Sequence, residues 1–352
     1  MKTMIIIAIL VLSCFLPYGL PPAQAAMNSI EEMNIRFSTW HLHDSEEVQT
    51  VWIPMLQDLK NRSEGRINYT LLDGGALGAG SEHYDIVARG RSDMGYATLT
   101  WTPGRFPLSD VLSLPASIQD KDVATEIGKD MYDRLLHLEF PGIKVLEING
   151  CIDSYLWTKK PVHNLEDIQG MRIRSPGGMQ TRCIRALGAE PVFMPMSEVY
   201  RAIDNGSIDG LVTCPPMVLS YKLYEVAPCG TSVTFGCVDE GLFMNLESWN
   251  RTPADLKLII EEVCGNPYRS ERAMTKASYQ MMMQDLEEKG VQLYVLHDDE
   301  AERWYSRFQD ATRLWVADME ARGLPAREAV IAFNEECQER GAKCVAFPPE
   351  WR

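Results

Sequence analysis

The feature that most constrains the fold is a strand–helix–strand pattern that occurs twice in the chain. In the first half, strand patterns over 34–39 and 67–72 flank a helical pattern over 45–62. In the second half, strand patterns over 171–174 and 191–194 flank a helical pattern over 179–187, each indicated by its hydrophobic period. Strands that alternate with helices form βαβ units, so the pattern predicts an α/β fold with largely parallel sheets.

Two short segments of similar layout suggest that the two halves are related. Residues 87–98 (VARGRSDMGYAT) and 202–213 (AIDNGSIDGLVT) each run from a helix end through a glycine and an aspartate into a short apolar strand that ends on threonine. Glycine can end the helix in the left-handed conformation, and the aspartate can accept hydrogen bonds from nearby backbone N–H groups. The repeat therefore predicts two lobes built on one plan.

The N-terminus has the three parts of a secretory signal peptide. Lys2 precedes an apolar run over 4–16, and Ala23-Gln24-Ala25 has the small-x-small form of a cleavage site. The alternative, a lipoprotein modified at Cys14, is weaker because Cys14 lies inside the apolar run. We therefore expect residues 1–25 to be removed and the mature chain to be periplasmic. No later stretch approaches the roughly 18 apolar residues of a membrane span, so we expect no embedded segment.

Composition limits the classes of partner. The chain has 352 residues, with 45% hydrophobic and 24% charged residues, which is typical of a globular protein with room for two lobes. Its net charge of −15 argues against nucleic acid and against anionic membrane surfaces as partners. An anionic ligand would have to be held by a few local positive groups.

The cysteines give no metal or redox motif. After Cys14, eight cysteines remain, and no two are spaced as C-x-x-C. The pairs nearest in sequence, Cys229 with Cys237 and Cys337 with Cys344, are candidates for disulfides. For most of the eight we favour buried free thiols.

The common catalytic motifs are also missing from the sequence: there is no G-x-S-x-G, H-E-x-x-H, P-loop or G-x-G-x-x-G. His41 and His43 could supply two metal ligands, but a polar loop after the first strand is the preferred interpretation. An exported thiol enzyme using Cys214 is an alternative that would need a neighbouring histidine. These motifs therefore give no candidate for a catalytic, metal or cofactor site.

Arg174 is the first candidate for an anion site. It ends a predicted strand of a parallel sheet, which is where open α/β folds bind ligands. Gly177 and Gly178 then open a helix whose free N–H groups attract anions. A guanidinium can hold a carboxylate through two parallel hydrogen bonds. The alternative is a structural arginine, which is our interpretation of Arg172.

At this point the sequence resembles a known family. The segment 165–210 (LEDIQGMRIRSPGGMQTRCIRALGAEPVFMPMSEVYRAIDNGSIDG) is similar to the solute-binding subunit of tripartite ATP-independent periplasmic (TRAP) transporters, the DctP-like family. The resemblance extends over nearly the whole mature chain, through 74–78 with Glu82, 89–90, 93–95 and 243–245.

The resemblance implies a type II periplasmic-binding fold: two α/β lobes with a cleft between them and a long connecting helix. Lobe I would comprise 33–151 with 239–280, and lobe II 152–238 with 281–352. The resemblance further implies a binding protein without catalysis, metal or cofactor, which captures a small organic anion and delivers it to the small and large membrane subunits of a TRAP permease.

The resemblance also implies a set of ligand-binding residues. Arg174 would hold the carboxylate of the ligand. The other positions that match the family's pocket, or follow the first strand, or lie near the return crossing between lobes, are Trp101, Thr98, Met196, Thr213, Trp40, His41 and Asp239.

Departures from the family argue against a sialic acid ligand. Ser154 replaces a second arginine, and Thr98 and Thr213 replace other polar pocket residues. A smaller or less polar acid is favoured, such as a hydroxy or keto acid, or an aromatic acid stacked on Trp40 or Trp101. A sulfonate or phosphate would also suit the arginine, and a binding protein of another importer class is a further alternative.

Overall fold

In the computed structural model, residues 32–102, 104–265 and 275–351 form two β-sheets with helices packed against them. The predicted signal peptide, 1–25, lies outside the described residues. The strands are β1 (Met33–Ser38), β2 (Ile67–Leu72), β3 (Met94–Thr98), β4 (Ile143–Gly150), β5 (Tyr155–Thr158), β6 (Arg172–Ser175), β7 (Glu190–Phe193), β8 (Gly210–Thr213), β9 (Cys229–Thr231), β10 (Asp239–Asn245) and β11 (Gln292–Tyr294).

Helices connect most of these strands. They are α1 (Ile53–Arg62), α2 (His83–Ala88), α3 (Lys121–Arg134), α4 (Gly178–Ala186), α5 (Met196–Asp204), α6 (Pro215–Ser220), α7 (Leu246–Arg251), α8 (Ala254–Cys264), α9 (Lys276–Glu288), α10 (Asp298–Ala321) and α11 (Ala326–Glu339). A π-helical turn over Val48–Trp52 leads into α1, within the predicted helix 45–62. None of the helices in the described ranges is long and apolar enough to cross a membrane.

The two sheets repeat one arrangement. In the first, of order β2-β1-β3-β10-β4, β1 lies parallel between β2 and β3. In the second, of order β11-β9-β5-β8-β6-β7, β6 lies parallel between β7 and β8. The next strand in each sheet, β10 or β5, is antiparallel to its neighbour. The predicted α/β class is thus confirmed.

Matching ion pairs confirm the internal repeat. In the first sheet, Arg36 donates its backbone N–H to Asp93 at 3.0 Å and a guanidinium N–H to the carbonyl of Gly90 at 2.9 Å. In the second sheet, Arg172 donates its backbone N–H to Asp209 at 2.8 Å and a guanidinium N–H to the carbonyl of Gly206 at 2.8 Å. Arg172 is therefore a structural arginine, as predicted.

The chain crosses between the sheets in short segments. Residues 151–154 connect β4 to β5, and 232–238 connect β9 to β10. All strands of the first sheet fall in the expected lobe I and all strands of the second in lobe II. The exact boundaries, 33–151 with 239–280 and 152–238 with 281–352, stay a prediction. We use the two names below for the halves that contain each sheet.

Helices α10 and α11, which pack on each other, connect the two lobes. Helix α10 has 24 residues, or about 36 Å of helix, and packs on α4 of lobe II. Helix α11 packs on α10 and on α3 of lobe I. The largest apolar cluster follows this path, with buried Phe243 in the first sheet, Ile173 in the second and Trp304 in α10. Separate clusters around Trp52 and Trp157 fill the other sides of the two sheets.

Two helices begin directly after a proline. Helix α5 begins at Met196, so Ser197 lies in its first turn and Pro195 precedes it. Helix α8 begins at Ala254, and the hydroxyl of Thr252 donates to the carbonyl of Ser248 at 2.7 Å instead of capping the next helix. In both cases a proline before the helix holds an extended conformation that already ends the preceding segment.

Candidate functional site

A cavity of about 420 Å³ lies where the carboxyl ends of strands from both sheets meet. Lobe I contributes the loops after β1, β2 and β3, and lobe II contributes β6, the β7–α5 connection and the end of α6. The lining residues are Trp40, Leu42, Gly74, Gly75, Gly78, Ala79, Gly80, Ser81, Trp101, Arg174, Phe193, Met194, Pro195, Met196, Ser197 and Tyr221. Carboxyl ends of parallel strands are the usual ligand-binding edge of open α/β sheets.

Arg174 is the charged group of this cavity. The residue is only 2% exposed, because β6 is a central strand flanked by β7 and β8. Its guanidinium donates to two backbone carbonyls, that of Met194 at 3.3 Å and that of Val212 at 3.5 Å. Both bonds are long, and a guanidinium carries more N–H donors than these two. In the described ranges, no carboxylate forms an ion pair with it.

Burial lowers the pKa of Arg174 to about 10, and the nearby Cys214 and Tyr221 oppose this decrease. The group still carries its positive charge at neutral pH. A buried cation without a carboxylate partner is costly unless an anion compensates it. This arrangement favours an anionic ligand at Arg174.

Two tryptophans form the lobe I wall of the cavity. Trp40 stacks on His41 with ring centroids 3.9 Å apart, and Trp101 lies 4.6 Å from Trp40. Gly80 approaches these rings so closely that a Cβ there would lie 2.4 Å from the Trp101 ring. A glycine is therefore required where the loop after β2 covers the indoles.

Lobe II forms the opposite wall with Phe193, Met194, Met196 and Tyr221. At the rim, Leu42 of lobe I is 58% exposed and Phe193 of lobe II is 53% exposed. Large apolar side chains at the edge of a cleft are usually covered by a ligand or by the facing lobe.

Four of the eight predicted site residues line the cavity: Arg174, Trp101, Met196 and Trp40. The other four lie behind its walls. His41 packs between Trp40 and the buried Trp52, and its Nδ1 is 2.8 Å from the hydroxyl of Thr39. Burial lowers the pKa of His41 to about 3, so the ring is neutral.

The remaining three lie within the strands of the two sheets. Thr98 is buried in β3, and the carbonyl of Thr213 accepts the indole N–H of Trp157 at 2.9 Å. Asp239 accepts the backbone N–H of Thr100 at 3.1 Å. Burial and the nearby Asp110 raise the pKa of Asp239 well above its usual range. None of these three residues lines the cavity, so we expect them to act on a ligand only indirectly, through the lining side chains.

The predicted anion site at the N-terminus of α4 is wrong. A Cβ at Gly177 would lie 2.2 Å from the carbonyl oxygen of Thr100, and one at Gly178 would lie 3.1 Å from a carboxyl oxygen of Asp110. Residues from lobe I therefore cover this helix end, and neither glycine lines the cavity. The two glycines allow close packing between the lobes instead.

The predicted alternatives based on metal or thiol chemistry find no matching geometry within the described ranges. No group of three or more possible ligands could hold a metal ion there, and His43 instead bonds Asp73 at 2.5 Å. The Sγ atom of Cys214 lies 3.3 Å from that of Cys151, and none of the histidines in the described ranges forms a hydrogen bond with it.

A larger groove, of about 1080 Å³, runs along α1, α3 and β4. Most of its charged side chains already form ion pairs, such as Arg62 with Glu262 and Lys144 with Glu261. Because those charges are largely compensated, whereas the buried Arg174 has no carboxylate partner in the described ranges, the smaller cavity is the better ligand site.

Sequence reasoning missed Phe193, Met194 and Tyr221. The first two end or follow β7, so the rule that found Arg174 at a strand end could have found them as well. Tyr221 directly follows α6 and carries no comparable signal in the sequence.

Comparisons with known proteins agree with this geometry. A family model for bacterial extracellular solute-binding proteins, family 7, matches residues 37–318. The 2,3-diketo-L-gulonate-binding periplasmic protein of Escherichia coli (strain K12) is 24% identical over 285 residues, which is 80% of this chain and 85% of that protein.

Solved structures show the same fold. The TRAP solute-binding protein of Rhodoferax ferrireducens T118, in complex with copurified benzoate, superposes with a TM-score of 0.80 at 23% identity and covers 88% of this chain and 98% of that one. A marine metagenome TRAP solute-binding protein from an unidentified microbe, specific for aromatic acid ligands and crystallised with 3-hydroxybenzoate, gives 0.79 at 21% identity, covering 88% and 98%. The predicted two-lobed fold is thereby confirmed.

Proposed function

Because the chain belongs to family 7 of the bacterial extracellular solute-binding proteins, we propose that it captures an aromatic or other largely apolar monocarboxylate for a TRAP permease. The observation that carries the proposal is the position of Arg174. It is a buried guanidinium, paired with no carboxylate in the described ranges, on the wall of a mostly apolar cavity.

The charge of the cavity favours one acidic group on the ligand. Among the described lining residues, Arg174 is the only charged side chain. A second carboxylate would remain buried without a partner, at a cost of several kcal/mol, roughly, for an unpaired ion. Sialic acid-type members of the family carry a second arginine at the position of Ser154. The Ser154 side chain is buried and neutral.

The lining of the cavity favours an apolar body for the ligand. Trp40, Trp101 and Phe193 provide aromatic faces. The flexible side chains of Met194 and Met196 can adapt to the shape of the ligand. Polar side chains in the lining are few: Ser81, Ser197 and Tyr221. A polyhydroxylated acid, like that named for the Escherichia coli relative, would leave hydroxyls without partners, whereas benzoate and 3-hydroxybenzoate, held by the two similar structures, would not.

Closure of the lobes would complete the site. The exposed rim residues Leu42 and Phe193 belong to different lobes, and both would be covered as the cleft narrows. Closure would also exclude water from Arg174, which strengthens its hydrogen bonds to a carboxylate. The segments 151–154 and 232–238, which cross between the sheets, are the natural places for the hinge.

Export and delivery follow from the family. The signal peptide over 1–25 would direct the chain to the periplasm, and the closed, liganded form would be presented to the small and large membrane subunits of the permease. The similar solved structures are TRAP proteins, which favours this assignment over another importer class.

The experiment is a thermal-shift and calorimetric comparison of matched ligands. We expect benzoate, 3-hydroxybenzoate or an aromatic 2-hydroxy acid to stabilise the protein, by about 2.7 kcal/mol at 100 times the dissociation constant. Benzamide has the same ring without the charge and should not bind. Benzenesulfonate tests the alternative anion, and glucuronate tests a polar sugar acid.

A response to benzamide equal to that of benzoate would show that Arg174 does not select an anion. A response to glucuronate alone would show that the aromatic walls do not select the ligand body. Either result would refute the proposed ligand class.

A further inference from the structure

Two thiols meet at the boundary between the lobes. Cys151 directly follows β4 and opens the crossing segment 151–154, while Cys214 directly follows β8 in lobe II. Their sulfur atoms are 3.3 Å apart, although the residues are 63 positions apart in the chain. Within the described ranges this is the only hydrogen bond that joins two sulfur atoms, and all eight cysteines there are free.

The pair lies between the hinge and the ligand site. The backbone N–H of Cys151 donates to the carbonyl of Val238 at 2.7 Å, which joins the two crossing segments at this point. On the other side, the Cys214 thiol is close enough to Arg174 to influence its protonation. Any covalent change at the pair therefore acts on both the moving segment and the anion site.

The geometry needs little change to form a covalent bond. A disulfide has its sulfur atoms about 2.05 Å apart, so the two sulfurs would approach each other by about 1.2 Å. Cys151 is only partly buried, whereas Cys214 is 4% exposed, so an external reagent would meet Cys151 first. The periplasm is an oxidising compartment in which disulfides form and persist.

We propose that Cys151 and Cys214 are a redox modification site, whose disulfide ties the first crossing segment to lobe II and restrains the opening of the cleft. The effect on ligand exchange rests on the proposed function, but the disulfide itself does not.

The reaction is an ordinary thiol–disulfide exchange with a disulfide donor, such as a periplasmic dithiol oxidase or glutathione disulfide. The Cys151 thiol loses its proton and attacks one donor sulfur, which breaks the donor's S–S bond and releases a donor thiolate. The Cys214 thiolate then attacks the Cys151 sulfur and releases the second donor thiolate. The two cysteines are oxidised by two electrons, the donor is reduced by the same two electrons, and the two protons go to the donor thiolates or to solvent.

The pKa of the Cys151 thiol affects when the disulfide forms. The hydrogen bond that the Cys151 thiol donates to Cys214, together with burial, raises the pKa of Cys151 well above its usual value, so the folded protein reacts slowly without a catalyst. We therefore expect the bond to form mainly while the chain folds after export, before the pair is enclosed.

The other cysteines provide controls. Cys229, a predicted disulfide partner of Cys237, instead lies 3.9 Å from the carbonyl of Lys159. Its thiol contacts no other described thiol, so a Cys229→Ser variant should leave the modification unchanged. The Cys151→Ser and Cys214→Ser variants should each abolish it.

The test uses the full chain exported in a bacterial host and purified with and without reductant. Peptide mapping under non-reducing conditions should identify a Cys151–Cys214 cross-link that disappears on reduction. In the absence of any ligand, reduction should lower the melting temperature by about 5 °C in the wild type and in Cys229→Ser, but not in the other two variants. Ligand dissociation should be severalfold slower in the oxidised wild type.

Eight free thiols after export and after incubation with glutathione disulfide would overturn the modification site, as would a cross-link at another pair. A Cys151–Cys214 cross-link with equal dissociation rates in both redox states would overturn the restraint on opening. If no carboxylate binds at all, the proposed function fails, whereas the cross-link and melting measurements still decide the modification.

Discussion

The rings of Trp40 and Trp101 lie 4.6 Å apart and are inclined at 50° to each other, so that two separate loops form one apolar wall. The wall results from strand order, because β1 and β3 are neighbours and both tryptophans lie just beyond the carboxyl ends of these strands. The wall faces lobe II, which contributes Arg174, the only charged side chain among the described lining residues.

Substitution of Gly80 by alanine should displace this wall. The added Cβ would lie 2.4 Å from the Trp101 ring, which must then move into the cavity or away from Trp40. We expect about a tenfold loss of carboxylate affinity, about 1.4 kcal/mol, measured by calorimetry. In a Trp101→Ala background the same substitution should have almost no effect, since the clash is gone. Equal losses in both backgrounds would place the cause elsewhere in the loop.

Substitution of Arg174 by alanine should abolish useful binding. Removal of one partner from a buried charge pair costs roughly 2–5 kcal/mol, which corresponds to a loss of affinity between tens and thousands-fold. The fold should persist, because the arginine forms only two long bonds to backbone carbonyls and pairs with no carboxylate in the described part of the chain.

Arg172 is the matched control for that experiment. It lies two residues earlier on β6 and pairs with Asp209 at 3.2 Å, away from the cavity lining. Arg172→Ala should keep its ligand affinity and lose some stability. Titration calorimetry and thermal melting of both variants separate the two roles, and an unchanged affinity in Arg174→Ala would remove the anion-binding assignment.

The buried carboxyl of Asp153 should make the protein less stable as pH rises. Burial raises the pKa of Asp153 to about 7, although hydrogen bonds from the Ile118 N–H and the Thr234 hydroxyl oppose this increase. In the unfolded chain the pKa of this carboxyl is about 3.9. Between the unfolded and the folded pKa, the folded protein therefore holds a proton on Asp153 that the unfolded chain has lost. The protonated Asp153 carboxyl contributes fully to the free energy of unfolding below the unfolded pKa, and this contribution is lost as pH rises through the folded pKa.

An Asp153→Asn variant should remove this part of the pH dependence. The amide can keep the bonds from Ile118 and Thr234 and offer an N–H to Tyr155. Above pH 7 we expect the variant to be more stable than the wild type, by about 3 kcal/mol. Asp110 and Asp239 shift in the same direction, so the slope should decrease without disappearing. Chemical denaturation at several pH values is the measurement, and identical slopes would contradict the assignment.

Asp93 should have the opposite pH dependence. Burial would raise its pKa, but hydrogen bonds from Arg36 and Ser248 outweigh burial and hold the pKa below its usual value. The resulting stability is present above the unfolded pKa and is lost as pH falls through the folded one. Asp93→Asn should cost about 2 kcal/mol at neutral pH. Its counterpart Asp209 is more exposed, so Asp209→Asn should cost less, about 1 kcal/mol or below. A larger loss for Asp209→Asn would reverse this interpretation.

Much of the fold was predictable because its signals are local. Hydrophobic period and turn residues located β1, β2 and α4 within one or two positions, and the Gly-x-x-Asp repeat correctly related Asp93 to Asp209. Arg174 and Trp40 were predictable as cavity residues because they lie at or just after a strand end, whereas Trp101 and Met196 were predicted from the resemblance to the TRAP family.

The rest depends on contacts between distant parts of the chain. No local pattern shows that Thr100 and Asp110 cover the N-terminus of α4, or that Cys151 meets Cys214. For the same reason Tyr221 was missed, and Thr98 was placed in the cavity although it lies within the sheet behind it. Tertiary packing decides which side chains beyond a strand end actually reach the ligand.

The matching pairs Arg36–Asp93 and Arg172–Asp209 align the two halves residue by residue, and this alignment places Ser38 where the other half has Arg174. Ser38 bonds Ser92 at 2.9 Å inside the sheet and does not reach the cavity. The two lobes therefore share a framework but differ at this position: one lobe contributes the cation of the cavity, and the other contributes its tryptophan wall. Under the proposed function, mutations in the tryptophan-bearing lobe would change which acid is accepted and would leave the contact with Arg174 in place.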